Sequence, residues 1–221
     1  MITVHHLENS RSQRILWLLE ELGLDYKIVE YKRDPETASG PESLKAIHPL
    51  GKAPVITDGE LTVAESGAII EYLLDRYDTE KRLKPTEGQA LLDFRYWLHF
   101  AEGSLMPLLV MKLVMMKVPT NPMPFFIKPI AKMITDKVQE KFIIPRIEPQ
   151  MRFIEETLGK HTWFVGDELS AADIQMSFPL QASSTRMDLV NFPNISRFLK
   201  QIEAVPSYQK ALSKGGVFTT L

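Results

Sequence analysis

The stretch Gly51-Lys-Ala-Pro-Val-Ile-Thr-Asp-Gly-Glu-Leu-Thr-Val-Ala-Glu-Ser-Gly-Ala-Ile69 constrains the fold more than any other part of the chain. Val55-Ile56-Thr57 is a β-branched run, Asp58-Gly59 is a hairpin signal, and Leu61-Thr62-Val63 is the answering strand. Glu65-Ser66 then stands at the mouth of an apolar helix from Ala68 to Tyr77. Three features here suit a ligand. Pro54 opens a strand, where its missing N–H costs least, and a cis Ala53–Pro54 bond would turn the Ala53 backbone toward an extended, peptide-like ligand. Ser66 and the N–H groups behind it form an anion site at a helix N-terminus. Lys52 adds positive charge nearby. Taken singly these are a strand starter, an N-cap and a solvated lysine. Their order along the chain carries the functional reading.

The flanks extend this unit. Ile2 to His6 alternates as a short strand with Ile2 and Val4 on one face. After a polar turn from Leu7 to Ser12, Ile15, Leu18, Leu19 and Leu22 share a helix face that Gly23 ends. Tyr26 to Tyr31 reads as a second strand, so a right-handed parallel crossover is expected. Lys32 to Pro41 reads as an exposed loop and Ser43 to Ile47 as a short helix. Residues 1–78 thus form a β-α-β-(α)-β-β-α unit, and 79–86, charged and containing Pro85, form a linker. Residues 87–221 read as helices throughout. Glu87 to Lys117 is strongly helical, with Pro107 as a kink. Pro119, Pro122 and Pro124 enforce a break. Phe125 to Leu158 resumes, bent or divided by Pro129, Pro145 and Pro149, and Ser170–Thr185, Asn194–Ala204 and Ser207–Lys214 follow as further helices.

The composition excludes several kinds of chemistry. No cysteine is present among 221 residues, which removes disulfides, thiolate metal sites and any cysteine nucleophile. His5 and His6 alternate across a strand while His48, His99 and His161 lie far apart, so no metal site is expected. Net charge is −2, which gives no electrostatic case for nucleic acid or an anionic membrane. The N-terminus carries no signal-peptide pattern. The most apolar stretch, Leu105 to Val118, carries Lys112 and Lys117 and is too short to span a bilayer. A cytoplasmic protein is the expectation.

The pattern Pro49-Leu-Gly-Lys-Ala-Pro54, then Asp58-Gly59, then Glu65-Ser66 ahead of an Ile-Ile-x-Tyr-Leu helix, resembles the thioredoxin-like domain of glutathione S-transferases. Ser10-Arg-Ser-Gln-Arg-Ile-Leu-Trp-Leu-Leu-Glu-Glu-Leu22 is similar to the fungal and bacterial branch of that family. The resemblance implies an α/β plus all-α architecture, an N-terminal thioredoxin-like domain followed by a C-terminal helical bundle. It implies glutathione as co-substrate, a small apolar electrophile, and a homodimer. The reaction it implies is attack of the glutathione thiolate on an electrophilic carbon, with peroxide reduction as a side activity of the same site. A binding or scaffold protein that kept the fold without turnover is the alternative, since fold alone does not fix activity.

Such a reaction needs an ionised thiol. A free thiol titrates at about 8.5, and each unit of lowering takes about 1.4 kcal/mol. One hydrogen bond to a charged group supplies roughly 1.5–3 kcal/mol, so one hydroxyl donor suffices for one to two units. In family members that use serine, the hydroxyl follows strand one and precedes an arginine four positions later. Ser10 and Arg14 match that spacing. Asn9 and Ser12 remain alternatives, and capping of the first helix is the structural reading of Ser10 or Ser12. By the same resemblance, Glu65 takes the γ-glutamyl ammonium, Ser66 the γ-glutamyl carboxylate, the Ala53 backbone the cysteinyl unit beside Pro54, and Lys52 the glycyl carboxylate. The histidine that some serine-type relatives carry about thirteen residues before the lysine is replaced by Ser39, with Lys32 or Arg33 as substitutes. Ser170-Ala-Ala-Asp173 is a capping box with Asp in place of Glu and is structural. Met106, Met111 and Met115 offer a pliable wall for the electrophile, with Met116, Met123, Phe125 and Phe126 further along.

Overall fold

The computed structural model describes residues 1–216. The C-terminal limit expected for the helical half therefore lies outside the described residues. Four strands, β1 (Ile2–Leu7), β2 (Tyr26–Tyr31), β3 (Val55–Asp58) and β4 (Leu61–Ala64), form one mixed sheet in the order β2-β1-β3-β4. β1 pairs parallel with β2, from Ile2 opposite Tyr26 to Leu7 opposite Tyr31, and antiparallel with β3. The parallel pair is joined by α1 (Gln13–Glu21), and the antiparallel hairpin turns at Gly59, whose φ of +61° suits a residue without a side chain. A short helix, α2 (Glu42–Lys45), precedes β3, and α3 (Ser66–Tyr77) follows β4.

The second half is helical among the described residues: α4 (Gly88–Phe100), α5 (Met106–Lys117), α6 (Lys128–Val138), α7 (Ile144–Lys160), α8 (Ala171–Ser184), α9 (Pro193–Glu203) and α10 (Pro206–Gly215). Pro107 does not break the long helix. A π turn, Ala101–Leu105, sits immediately ahead of it, and a second π turn, Gln139–Ile143, sits ahead of Pro145. Each proline lacks the N–H that an α-turn would need, and the wider turn accommodates the missing bond. The helical run is therefore continuous over Gly88–Thr120, 33 residues, where the sequence suggested a shorter apolar segment. By length and composition alone this run is able to cross a membrane, yet Phe94, Trp97 and Leu98 in its first half are buried in the core, where α4 packs on α8.

One hydrophobic core runs through both halves. It joins Val4, Leu16, Trp17 and Ile70 of the first to Phe94, Ile154, Ile174 and Phe198 of the second. The expected capping box is present at the start of α8. The Ser170 N–H donates to Asp173 Oδ2 at 2.9 Å, and the Phe164 N–H donates to Asp173 Oδ1 at 2.8 Å. α1 and α10 pack closely, and the Trp17 indole N–H donates to Ser207 Oγ at 3.0 Å. This contact brings the end of the described chain against its beginning.

Candidate active site

A cavity of about 640 Å³ opens between the loops of the sheet half and the first turns of the helical half. Asn9, Ser10 and Arg11 line it from the loop after β1, and Arg33, Ala38, Ser39 and Gly40 from the loop after β2. Lys52, Ala53, Pro54, Glu65 and Ser66 line it from the stretch around the hairpin. Glu102, Met106, Val110, Phe178 and Arg186 close it from the helical side. The Ala53–Pro54 peptide is cis. Five cations (Arg11, Arg33, Lys45, Lys52, Arg186) face two carboxylates (Glu65, Glu102) around the cavity, a field that suits an anionic occupant.

Ser10 stands two residues ahead of Ser12, the N-cap position of α1. It is 6% exposed, and its Oγ lies 2.6 Å from Ser12 Oγ. Ser12 is fully buried, lies off the cavity wall, and makes no capping bond to α1. Instead its Oγ lies 2.8 Å from Nδ1 of His6, whose Nε2 lies 2.8 Å from the Gly215 carbonyl oxygen. The proton positions follow from the ends of this chain. A carbonyl only accepts, so Nε2 carries the hydrogen. Burial lowers the His6 pKa, so the ring is neutral at neutral pH and Nδ1 accepts from the Ser12 hydroxyl. With its hydrogen committed, Ser12 Oγ accepts from Ser10. The Ser12 N–H also donates to Ser10 Oγ at 3.2 Å, drawing electron density from that hydroxyl. The result is a hydroxyl on the cavity wall whose hydrogen is free to turn from Ser12 toward an anion.

Ser66, at the first position of α3, is built differently. Arg14 Nη2 and Gln175 Nε2 both donate to its Oγ, each at 3.2 Å, so its own hydrogen is left to donate toward the cavity. Glu65 ahead of it holds φ +71°, a conformation L side chains rarely adopt and one that concentrates at ligand sites. Arg14 is a buried cation. It donates through Nη1 to the Gln175 carbonyl at 2.8 Å and through Nη2 to Glu102 Oε1 at 2.6 Å, and burial lowers its pKa. Arg11 pairs with the other oxygen of Glu102 at 3.0 Å. Arg33 donates to the Asn9 carbonyl at 3.0 Å and the Ala38 carbonyl at 2.8 Å, which ties the two loops together.

The structure brings Asn9, Ser10, Lys52, Ala53, Pro54, Glu65, Ser66 and Met106 to one cavity. Ser170 and Asp173 lie at the capping box, away from it. Met111 and Met115, expected in the electrophile wall, do not line it. Met115 packs partly on the main core and Met111 is exposed, because three- and four-residue helical spacing from Met106 reaches Val110 rather than Met111. Phe125, Phe126, Met116 and Met123 lie off the cavity as well, and so does Lys32. Sequence reading missed His6, Arg11, Glu102, Gln175, Phe178 and Arg186. One signal pointed to Glu102, the single acid between Asp93 and Asp136 in an otherwise apolar and basic stretch. Among the described residues no cluster of histidine and carboxylate side chains is arranged to hold a metal ion.

Comparison with known proteins gives a consistent result. Residues 1–75 match the family model "Glutathione S-transferase, N-terminal domain" and residues 105–206 match "Glutathione S-transferase, C-terminal domain". Glutathione S-transferase 1 of Saccharomyces cerevisiae is 37% identical over 97% of this chain and 95% of its own length. Glutathione S-transferase 3 of Schizosaccharomyces pombe is 32% identical over 97% of this chain and 88% of its own. A crystal structure of a glutathione S-transferase from Actinobacillus pleuropneumoniae superposes with a TM-score of 0.79 at 40% identity, covering 97% of this chain and 93% of that one.

Proposed function

Because the chain belongs to the glutathione S-transferase family and is a glutathione transferase, we propose that it ionises the glutathione thiol through the Ser10 hydroxyl, aligned from behind by Ser12 and His6. The observation that carries this reading is the hydrogen-bonded chain from the Gly215 carbonyl through His6 and Ser12 to Ser10 at the cavity wall. When glutathione binds, its thiol releases its proton to solvent, and Ser10 turns its hydrogen from Ser12 to the sulfur anion that remains. The N-terminus of α1 adds its partial positive charge. The sulfur then forms a bond to an electrophilic carbon as the leaving group departs, helped by proximity. Peroxide reduction by the same thiolate is a side activity.

The peptide contacts follow the cavity wall. Glu65 accepts from the γ-glutamyl ammonium. Ser66 donates to the γ-glutamyl carboxylate together with the N–H groups of α3. The Ala53 backbone pairs with the cysteinyl unit, and Lys52 approaches the glycyl carboxylate with Lys45 beside it. Arg33 positions the loops rather than the ligand, since its guanidinium is held by backbone carbonyls. The apolar electrophile lies against Met106, Val110 and Phe178. A cytoplasmic homodimer belongs to this reading, and gel filtration tests the assembly.

The decisive experiment is titration of glutathione binding with ultraviolet detection of the thiolate, in the native protein and in Ser10→Ala. The expected result is near-normal binding with the thiolate signal lost at neutral pH. Ionisation that persists in Ser10→Ala moves the role to Asn9, Ser12 or backbone donors. The scaffold alternative predicts no thiolate in the native protein either.

A further inference from the structure

Apolar exposure is concentrated in one part of this molecule. Between Val110 and Ile144 twelve large apolar side chains are exposed, of twenty in all among the described residues. Val110 belongs to the cavity, but the far end of the hairpin does not. There Phe125 is 84% exposed, Phe126 63%, Met133 59% and Ile134 56%, with Ile130 at 52%. Ile127, Ile130 and Ile134 recur at three- and four-residue spacing, so α6 presents an apolar stripe outward instead of burying it. α6 packs mainly on the hairpin's own elements, α5 and the two turns that flank it, so this end projects from the core.

The charge of the same segment runs opposite to that of the rest. Residues 103–147 hold seven Lys and Arg against two acids, a local net of +5 in a chain whose total is −2, which leaves −7 elsewhere. Asp136 and Glu140 are already paired with Lys132, Lys137 and Lys141. Lys117 and Lys128, on either side of the tip, make no ion pair among the described residues. The net charge of the whole chain conceals this division, and with it the argument against an anionic surface fails. A second copy docked tip to tip through a two-fold axis would set one +5 segment against another. An anionic bilayer complements the tip instead. Exposed phenylalanines with lysines at their margins are the composition of a helix lying in a lipid interface.

We propose that the α5–α6 hairpin tip, led by Phe125 and Phe126 and flanked by Lys117 and Lys128, is a peripheral docking surface for anionic lipid membranes. The protein lies on the bilayer without spanning it, because α4 remains in the core. From Val110 on the cavity wall to Lys117 near the tip, α5 rises about 10 Å. Docking therefore holds the electrophile side of the cavity near a phase in which apolar electrophiles concentrate.

Flotation with vesicles tests this. The protein is mixed with equimolar phosphatidylcholine and phosphatidylserine vesicles, or with pure phosphatidylcholine, at low and high salt. The expected result is partition onto the anionic vesicles that weakens with salt. Phe125→Ser with Phe126→Ser lowers it about tenfold or more, and Lys117→Gln or Lys128→Gln about fivefold each. Transferase turnover with a water-soluble electrophile stays at the native level in all variants, which shows that they fold. No partition onto anionic vesicles at low salt overturns the proposal, as does partition that the phenylalanine pair leaves intact. Assemblies larger than a dimer that form without lipid and dissolve in the double variant assign the patch to a second copy and also overturn it.

Discussion

At the scale of single residues, the site works by restricting where hydrogens point. Ser10, Ser12 and His6 are each ordinary, and their order makes Ser10 a donor. Two substitutions of His6 separate alignment from mere space filling. Asparagine retains an acceptor near the Nδ1 position, whereas glutamine reaches toward Nε2 and leaves Ser12 unaligned. His6→Asn is expected to keep the thiol pKa of bound glutathione near its native value. His6→Gln is expected to raise it by about one unit, or about 1.4 kcal/mol, with KM for glutathione little changed. Ultraviolet titration of the thiolate checks both. A pH effect follows from the same ring. Burial holds the His6 pKa below its ordinary 6.5. Its contribution to stability is therefore present above 6.5 and lost as pH falls through the lowered value. Protonation also places a hydrogen on Nδ1 against that of Ser12. The acid limb of kcat/KM should fall more steeply below pH 6.5 in the native protein than in His6→Asn.

At the scale of elements, local chemistry accounts for most of what the sequence shows. The β-branched run before Asp58-Gly59 and the apolar run after Ser66 name a hairpin and a helix because turn and strand preferences are local. The capping box at α8 is legible for the same reason. Asp173 in that box is fully buried, and burial raises its pKa to about 6 despite the N–H and hydroxyl groups of Phe164, Ser170 and its own backbone that donate to it. The folded form holds the proton more tightly than the unfolded chain, so this group's contribution is present below its ordinary value of 3.8 and lost as pH rises through about 6. The change amounts to about 3 kcal/mol. Urea midpoints of the native protein and Asp173→Asn between pH 4 and 7 should draw closer as pH rises. The π turns were less legible. Pro107 announced a kink, but nothing nearby in sequence says that a wider turn keeps the helix running.

At the scale of the whole molecule, the contacts that matter join residues distant in sequence, and those were not legible. His6 meets Gly215, and Arg14 meets Glu102 and Gln175, across separations that no period or spacing encodes. The buried Arg14 is the joint between the halves. Glu102→Gln removes its charge partner and leaves the guanidinium to backbone and hydroxyl acceptors. A loss of about 3 kcal/mol in unfolding free energy is expected, measured by denaturant titration. A smaller loss of glutathione affinity should accompany it, because Ser66 shares Arg14 as a donor.

The tight seat of Gly215 extends this reach. A methyl group there would run into the Leu16 side chain and stand 2.6 Å from Gln13 Oε1 and 3.3 Å from His6 Cε1. Something must shift to admit it, and because Leu16 is fully buried the expected outcome for Gly215→Ala is that α10 moves off α1 and the carbonyl that fixes the imidazole moves with it. Although it touches no ligand, the last described helix thus serves as a tuning peg for nucleophile strength. Trimming or crowding that end should yield a protein that still holds its peptide while the sulfur it holds has gone quiet.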